Sequence, residues 1–594
     1  MRKSTLLGRS ALLRAVLAGA LVTSSLAPPS LAFAFQQEEA TAPALAQTGG
    51  DLIGYGSIHH PTIGRDGMVV SQSKIASKIG ADILAKGGNA VDAAVAVGIA
   101  ETLTLPRAGN LGGGGYMLVY DAASKKTVAI EYYGQAPLAV KPDFLLNDKG
   151  RVDGEKVQSF KGVTVPGTVA GLYEAHKRFG KLPWADLVQP AIDLALNGLV
   201  MSDDEADALS KRKTAMSKDP NGALKVFFKP DGSPYGPGEV YKNPDLAWTL
   251  QQIQARGADG FYKGPVADKL VAGIKAGGGI ISLKDLASYK ANVLEPIWSD
   301  YRGYKIAYMP PTSAASSVAE AMNILEHFPM DKLGAGNVAT MHVIAEALKI
   351  VTVDRRYSGG GPQWKTPAKG IASKAFAQER AKLISMDKSL DSKSLPGLDP
   401  HPYESPDTTH YSIADKDGNV VSNTYTLTAS FGAHVVAPGT GFLLNNSLGN
   451  FDWNPKPTSL GNKIEPGKRA QSTISPIIVF KDDKPWVATG TPGGGTIIGT
   501  MVQVLVNLID YKLNMAEAAQ RPRIYQAGVD GPLQIEESIP EDLVAGLEAK
   551  GHKVERSQII GSTQSIMIGP DGKTFYGAAD TRRPDSAAIG VKQY

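Results

Sequence analysis

The segment Asp407-Thr408-Thr409-His410-Tyr411-Ser412 joins two stretches of chain with opposite backbone requirements. Ahead of it, residues 395–407 (Leu-Pro-Gly-Leu-Asp-Pro-His-Pro-Tyr-Glu-Ser-Pro-Asp) carry four prolines, which exclude helix and favour an exposed, extended loop. Behind it, residues 409–414 predict a strand, Asp415-Lys-Asp-Gly-Asn419 a hairpin turn, and residues 420–428 the returning strand. A loop suited to cleavage thus runs directly into a strand suited to burial.

That junction fits a chain that cuts itself before a threonine and uses the new N-terminal residue as a nucleophile. An α-amino group has a reference pKa of about 7.7–8.0, so a freed Thr408 carries its own general base beside its hydroxyl. The competing interpretation is a threonine-rich hairpin with no chemistry, because β-branched residues favour strands in any case. On the return strand, residues 424, 426 and 428 fall on one face and Tyr425 and Leu427 on the other.

Composition removes several function classes. Net charge is +4 with both signs spread along the chain, and no basic run or aromatic-basic stripe marks a nucleic-acid binder. The absence of cysteine rules out disulfides, thiol nucleophiles and thiolate metal sites. The nine histidines show no His-Glu-x-x-His spacing, so no metal and no cofactor is expected. Gly109-Asn-Leu-Gly-Gly-Gly-Gly115 lacks the Gly-Lys-Ser/Thr ending of a phosphate loop and precedes a strand-like 116–120, which makes it a tightly packed turn.

At the start, Arg2, Lys3, Arg9 and Arg14 precede an apolar run over 15–22 and then Ala32-Phe33-Ala34. This is the pattern of a secretory signal peptide over 1–34; the apolar run falls short of the roughly 20 residues of a retained anchor. Export to the periplasm or the medium is expected, with no stable membrane anchor. Residues 36–50 read as a flexible lead-in. Helices are expected at 90–103, capped by Asn89, and at 183–199, 245–256, 316–328 and 540–550, with further strands at 477–480, 486–489 and 565–568. Strand runs flanked by separate helix runs, with 43% hydrophobic residues to fill a core, imply a layered α+β architecture.

The hairpin, Gly87-Gly-Asn-Ala-Val-Asp-Ala-Ala-Val95, the glycine run 109–115, Val165-Pro-Gly-Thr-Val-Ala-Gly171, Leu443-Leu-Asn-Asn446, Thr491-Pro-Gly-Gly494 and Gly561-Ser-Thr-Gln-Ser565 together resemble the γ-glutamyltranspeptidase family, in its order and from about Gly67 onward. The resemblance implies the four-layer αββα sandwich of N-terminal-nucleophile hydrolases. It also implies cleavage between Asp407 and Thr408 into an associated large subunit, 35–407, and small subunit, 408–594. Thr408 would attack an amide carbonyl, Thr426 would hydrogen-bond the nucleophile, and the Gly493 and Gly494 backbones would hold the oxyanion. The acyl group would pass to water or an amine acceptor.

The substrate pocket departs from the family pattern. The arginine that grips the substrate carboxylate is replaced by Tyr133, the family asparagine by Thr428, the following Gln or Glu by Ser447, and the aspartate that holds the ammonium by Asn450; Ser472 and Thr473 keep the paired hydroxyls. Arg107 is either a substitute cation or an ordinary surface or ion-pairing residue. Three activities stay open: cleavage of γ-glutamyl amides such as glutathione, acylase action on glutaryl or neutral acyl amides, and a non-catalytic periplasmic binding protein.

Overall fold

The computed structural model describes residues 57–357, 367–391, 408–456, 461–526 and 528–593. The expected leader 1–34, the lead-in 36–50 and the proline-rich loop ending at Asp407 lie outside the described residues. Immediately after that loop, strands Thr409–Asp415 and Val420–Thr426 pair antiparallel, with Tyr425 opposite Thr409 and Val420 opposite Ala414. Every residue of both strands is buried, which requires a covering layer on each face. Asp415 builds the turn: its carboxylate accepts from the N–H groups of Asp417 and Asn419, both at 2.9 Å, while Gly418 takes φ +91°.

The return strand is two residues shorter than the pattern predicts. Thr428 has φ +83°, a left-handed conformation that ends the ladder, and its N–H turns inward to Thr426 Oγ1 at 2.8 Å. Thr428 therefore leaves the strand face that Thr424 and Thr426 share.

The hairpin lies inside a 13-stranded sheet. Its pivot is strand Thr62–Ser71, which bends at Asp66 and Gly67, at φ 63° and 139°. Residues 67–71 pair with Thr409–Asp415, while residues 62–65 pair with Thr574–Ala579. From this bend one wing continues through Val420–Thr426, Gly114–Asp121, Lys126–Glu131 and Asn292–Leu294. The other continues through Gln564–Ile568, Lys484–Thr489, Ile477–Lys481, Tyr304–Tyr308 and Ile297–Tyr301. Polar side chains of the hairpin bridge to the second wing: Ser412 Oγ donates to the Gln564 carbonyl at 2.9 Å and Ser422 Oγ to that of Thr489 at 3.0 Å.

The opposite face of the hairpin carries Tyr411, Ile413, Val421 and Tyr425, which share one core with helix Ala90–Thr104. Asn89 caps this helix in a capping box with Asp92, and all its residues are buried. Alanine and glycine along it let the hairpin approach closely: Tyr411 Oη donates to the Ala94 carbonyl at 2.8 Å and Tyr425 Oη to that of Gly98 at 2.9 Å. Asp415 also accepts from Ala90 N–H at 2.8 Å, so the turn of the hairpin caps the start of the helix. A second core joins Tyr116 and Leu118 to the second wing and to helices Ala315–Leu325, Val338–Asp354 and Thr496–Ile509.

The glycine run is a packing device, as expected. A Cβ on Gly112, Gly113 or Gly115 would lie 2.0–2.4 Å from the carbonyl oxygens of Leu443, Thr426 and Thr424 respectively. Backbone cannot yield as a side chain can. Gly113→Ala is therefore expected to lower stability by at least about 1–3 kcal/mol, read as a fall in Tm. Gly154→Ala, where nothing lies within 4 Å of the added carbon, should leave Tm within the scatter of surface substitutions.

Candidate active site

Thr408 is buried at the start of the first hairpin strand, and its Oγ1 donates to Thr426 Oγ1 at 3.3 Å. Alternation places both with His410, Ser412 and Thr424 on the face toward the second wing. His410 is a structural neighbour rather than a base. Its Nδ1 is 2.7 Å from Thr424 Oγ1 and its Nε2 3.0 Å from Ser412 Oγ, and burial pushes its pKa down to about 3. The ring is neutral over the working range of an enzyme.

The His410 ring leads to the glycine pair. A Cβ on Gly490 would lie 2.3 Å from His410 Nδ1, so the segment Thr491-Pro-Gly-Gly494 leaves the second wing beside the nucleophile strand. Gly493 and Gly494 take φ 129° and 54°, which L side chains rarely adopt. They open helix Thr496–Ile509, whose unpaired N–H groups and dipole favour developing negative charge. Ser562 N–H donates to Thr491 Oγ1 at 2.8 Å, and Gly561 Cα lies 3.3 Å from where a Gly493 Cβ would be. Residues 491–494 and 561–565 thus build one corner. The helix behind the glycine pair was not read from the sequence, although the apolar run 497–509 carries its signal.

The residues that depart from the family pattern come together. Tyr133 is buried and stacks on Tyr116 at 5.4 Å and 18°. Its phenol oxygen accepts from Asn450 Nδ2 at 3.0 Å and lies 3.2 Å from Thr428 Oγ1, which is 2.6 Å from Ser447 Oγ. Burial raises the pKa of the phenol above the usual tyrosine value, and the nearby Thr428, Ser447, Ser472 and Asn450 side chains only partly offset that. Tyr133, Thr428, Ser447, Asn450 and Ser472 form a cluster of neutral groups. Thr473 is buried beside it, with its carbonyl accepting from Ser475 Oγ at 2.9 Å.

Arg107 is not a free substitute cation. Its guanidinium is buried and ion-paired with Asp204 and Glu205, the latter at 2.9 Å. Both carboxylates open helix Asp203–Met216, where negative charge is favoured. The ion-pairing interpretation of the sequence holds.

Among the described residues, His342, Glu346 and His552 carry potential ligand atoms within 4.8 Å of one another. Sequence spacing missed this group because His552 lies 210 residues beyond His342. The Ser385 carbonyl, 2.7 Å away, takes the hydrogen of His342 Nε2. His342 Nδ1 then accepts from His552 Nε2 at 2.8 Å. Glu346 receives the Lys349 ammonium at 2.8 Å and the Leu390 N–H at 2.6 Å. With its lone pairs committed and an ammonium beside its carboxylate, the group is an internal network fastening residues 385–390.

Truncating Arg107 leaves the buried Glu205 and the half-buried Asp204 carboxylates without their cation. Arg107→Gln is expected to cost about 3–5 kcal/mol in chemical unfolding while leaving the ratio of kcat/KM between any two acyl donors unchanged; a changed ratio would place Arg107 in the pocket after all.

Residues 76–590 match the Gamma-glutamyltranspeptidase family. A glutathione hydrolase proenzyme of Escherichia coli strain K12 is 40% identical over 600 residues, covering 99% of this chain and 100% of that protein. The Acylase ACY 1 proenzyme of Pseudomonas sp. strain V22 is 38% identical, over 89% of this chain and 94% of that one. The crystal structure of a cephalosporin acylase from Bacillus halodurans superposes with a TM-score of 0.81 at 29% identity, over 91% of this chain and 99% of that one. With the threonine pair, the glycine corner and the sheet that joins them, these matches establish that the chain belongs to the γ-glutamyltranspeptidase family and is an N-terminal-nucleophile amidohydrolase and acyltransferase.

Proposed function

We propose that the chain is exported, cuts itself between Asp407 and Thr408, and works as an associated pair of subunits, 35–407 and 408–594, in the periplasm or outside the cell. The observation that carries the reading is the Thr408–Thr426 hydroxyl pair at the head of a fully buried strand. The two wings bridged by serines, each with helices on its outer face, support a four-layer αββα sandwich.

Cleavage turns the Thr408 amide into an α-amino group, which takes the proton as Thr408 Oγ1 attacks the substrate carbonyl. The hydrogen bond to Thr426 holds the hydroxyl in one rotamer. The carbonyl oxygen becomes an oxyanion facing the N–H groups of Gly493 and Gly494, and losing one such donor typically costs about 2.7–4 kcal/mol. Collapse expels the amine, which takes back the proton, and leaves an ester on Thr408. Water hydrolyses that ester, or an amine acceptor carries the acyl group away.

The donor is a γ-glutamyl amide such as glutathione or a related amide. The Tyr133 cluster favours a second reading, an acylase for glutaryl or neutral acyl groups. A γ-glutamyl group brings a carboxylate and an ammonium, and burying a charge without its partner costs about 3–5 kcal/mol. Tyr133 and Asn450 offer dipoles where family members offer counter-charges.

The γ-glutamyl reading expects purified protein to prefer γ-glutamyl anilide; the acylase reading expects glutaryl or butyryl anilide to be hydrolysed with a kcat/KM at least about tenfold higher than γ-glutamyl anilide, the ratio that about 1.4 kcal/mol supplies. The double variant Tyr133→Arg, Asn450→Asp should reverse that order. Thr408→Ala should be inactive and remain one chain on a denaturing gel. A strong γ-glutamyl preference in the unaltered protein would sink the acylase reading, and turnover by Thr408→Ala would sink both.

A further inference from the structure

Helix Ala90–Thr104 meets the hairpin in a regular sequence. Ala90 receives Asp415 at the turn, Ala94 receives Tyr411, and Gly98 receives Tyr425, so successive helical turns step along the hairpin toward the nucleophile. One turn further, on the same helix face, is Glu101. The hairpin residue paired with Tyr425, and next to Thr408, is Thr409. Helical and strand periodicities thus bring a carboxyl group beneath the residue that follows the nucleophile.

Glu101 is fully buried, and no lysine, arginine or histidine stands among the groups acting on it. Those facing it are Thr409, Tyr411 and Tyr425 of the hairpin and Tyr132 of the neighbouring segment. Among the described residues, neither carboxyl oxygen nor Thr409 Oγ1 has a hydrogen-bond partner at normal geometry, although Glu101 is close enough to Thr409 and Tyr425 to interact. Tyr425 has already given its hydroxyl hydrogen to the Gly98 carbonyl. Its oxygen has only lone pairs left to offer, so a favourable contact with Glu101 requires the carboxyl to be the donor.

We infer that Glu101 is a positioning residue that works as a neutral acid, donating from the helix to the Thr409–Tyr425 end of the hairpin and so holding the strand that carries Thr408. It touches neither the nucleophile hydroxyl nor the substrate, because Thr409 and Tyr425 lie on the opposite strand face from Thr408 and Thr426. Burial pushes the Glu101 carboxyl up to about 8; the Tyr425 and Thr409 hydroxyls would favour its ionised form only as donors, and Tyr425 has spent that hydrogen on the Gly98 carbonyl. Below that pH the donor is present. Above it the proton leaves, an uncompensated charge stands between helix and hairpin, and the nucleophile strand loosens. A displacement of about 1 Å in a reacting group can cost on the order of 10²-fold in rate.

The inference rests on the acyl-enzyme reading, so its test has one arm that needs no activity. In the kinetic arm, kcat of the processed enzyme should rise with the α-amino ionisation and fall above pH 8, by up to about tenfold per pH unit for a single ionisation, with KM little changed. Glu101→Gln keeps a donor that does not titrate, so its profile should level off instead of falling. Glu101→Leu, which removes the donor, should give a kcat lowered throughout and no alkaline fall. In the second arm, the Tm of the Thr408→Ala precursor should drop between pH 5 and 9, because a carboxyl whose pKa is raised on folding stabilises below its unfolded pKa and loses that contribution as pH rises to its folded value. Adding Glu101→Gln should remove that part of the drop. An alkaline fall that survives in both Gln and Leu enzymes, or Tm slopes that coincide, would overturn the proposal. Inactivity of the parent enzyme beside a Tm slope that depends on Glu101 would instead fault the acyl-enzyme reading alone.

Discussion

The contact between helix Ala90–Thr104 and the nucleophile hairpin is the constraint on which the rest of the molecule depends. Small residues on the helix let tyrosine hydroxyls from the hairpin reach helix carbonyls directly, and the hairpin turn supplies an oxygen to the helix start. This fixes the strand pair on one face, while Ser412 and Ser422 tie the other face to the second wing. Thr408, the proposed nucleophile, stands at the end of a strand held on both faces, and a group so held loses little order on entering a reactive geometry.

The same packing explains the glycines. The run 112–115 threads between backbone carbonyls of the return strand and of Leu443, with separations that exclude even a methyl group. Gly493 and Gly494 serve another purpose: their left-handed backbones turn the chain sharply into helix Thr496–Ile509 and leave no side chain at the place proposed for the oxyanion. One set of glycines brings surfaces together, and the other leaves a surface open.

Around Tyr133, fold and specificity separate. Thr408, Thr426 and the glycine pair keep the residues that the resemblance implies, whereas the corner proposed for recognition holds hydroxyls and an amide that bond to one another. The set is self-consistent: Asn450 donates to a phenol that burial keeps protonated. The substitutions read one by one in the sequence are a single hydrogen-bonded unit in space.

Much of the site was legible in the chain. Proline density, period-two alternation and the Asp-Lys-Asp-Gly-Asn turn are local properties, so the hairpin, its turn and the Thr408–Thr426 face followed from residue order. So did Asn89 as a cap and the glycine run as a packed turn. Thr428 was misplaced because threonine has no intrinsic tendency toward the left-handed backbone that takes its N–H to Thr426 Oγ1 and its hydroxyl to Tyr133 and Ser447. Sequence left Arg107 undecided because Asp204 and Glu205, which hold it, belong to a separate helix. Glu101 and the His342–Glu346–His552 network were invisible, since buried charge acquires meaning only from neighbours distant in the chain. Order along the chain determined which residues could react; their protonation, partners and reach were decided by tertiary packing, because burial and electrostatics depend on what surrounds a group in space.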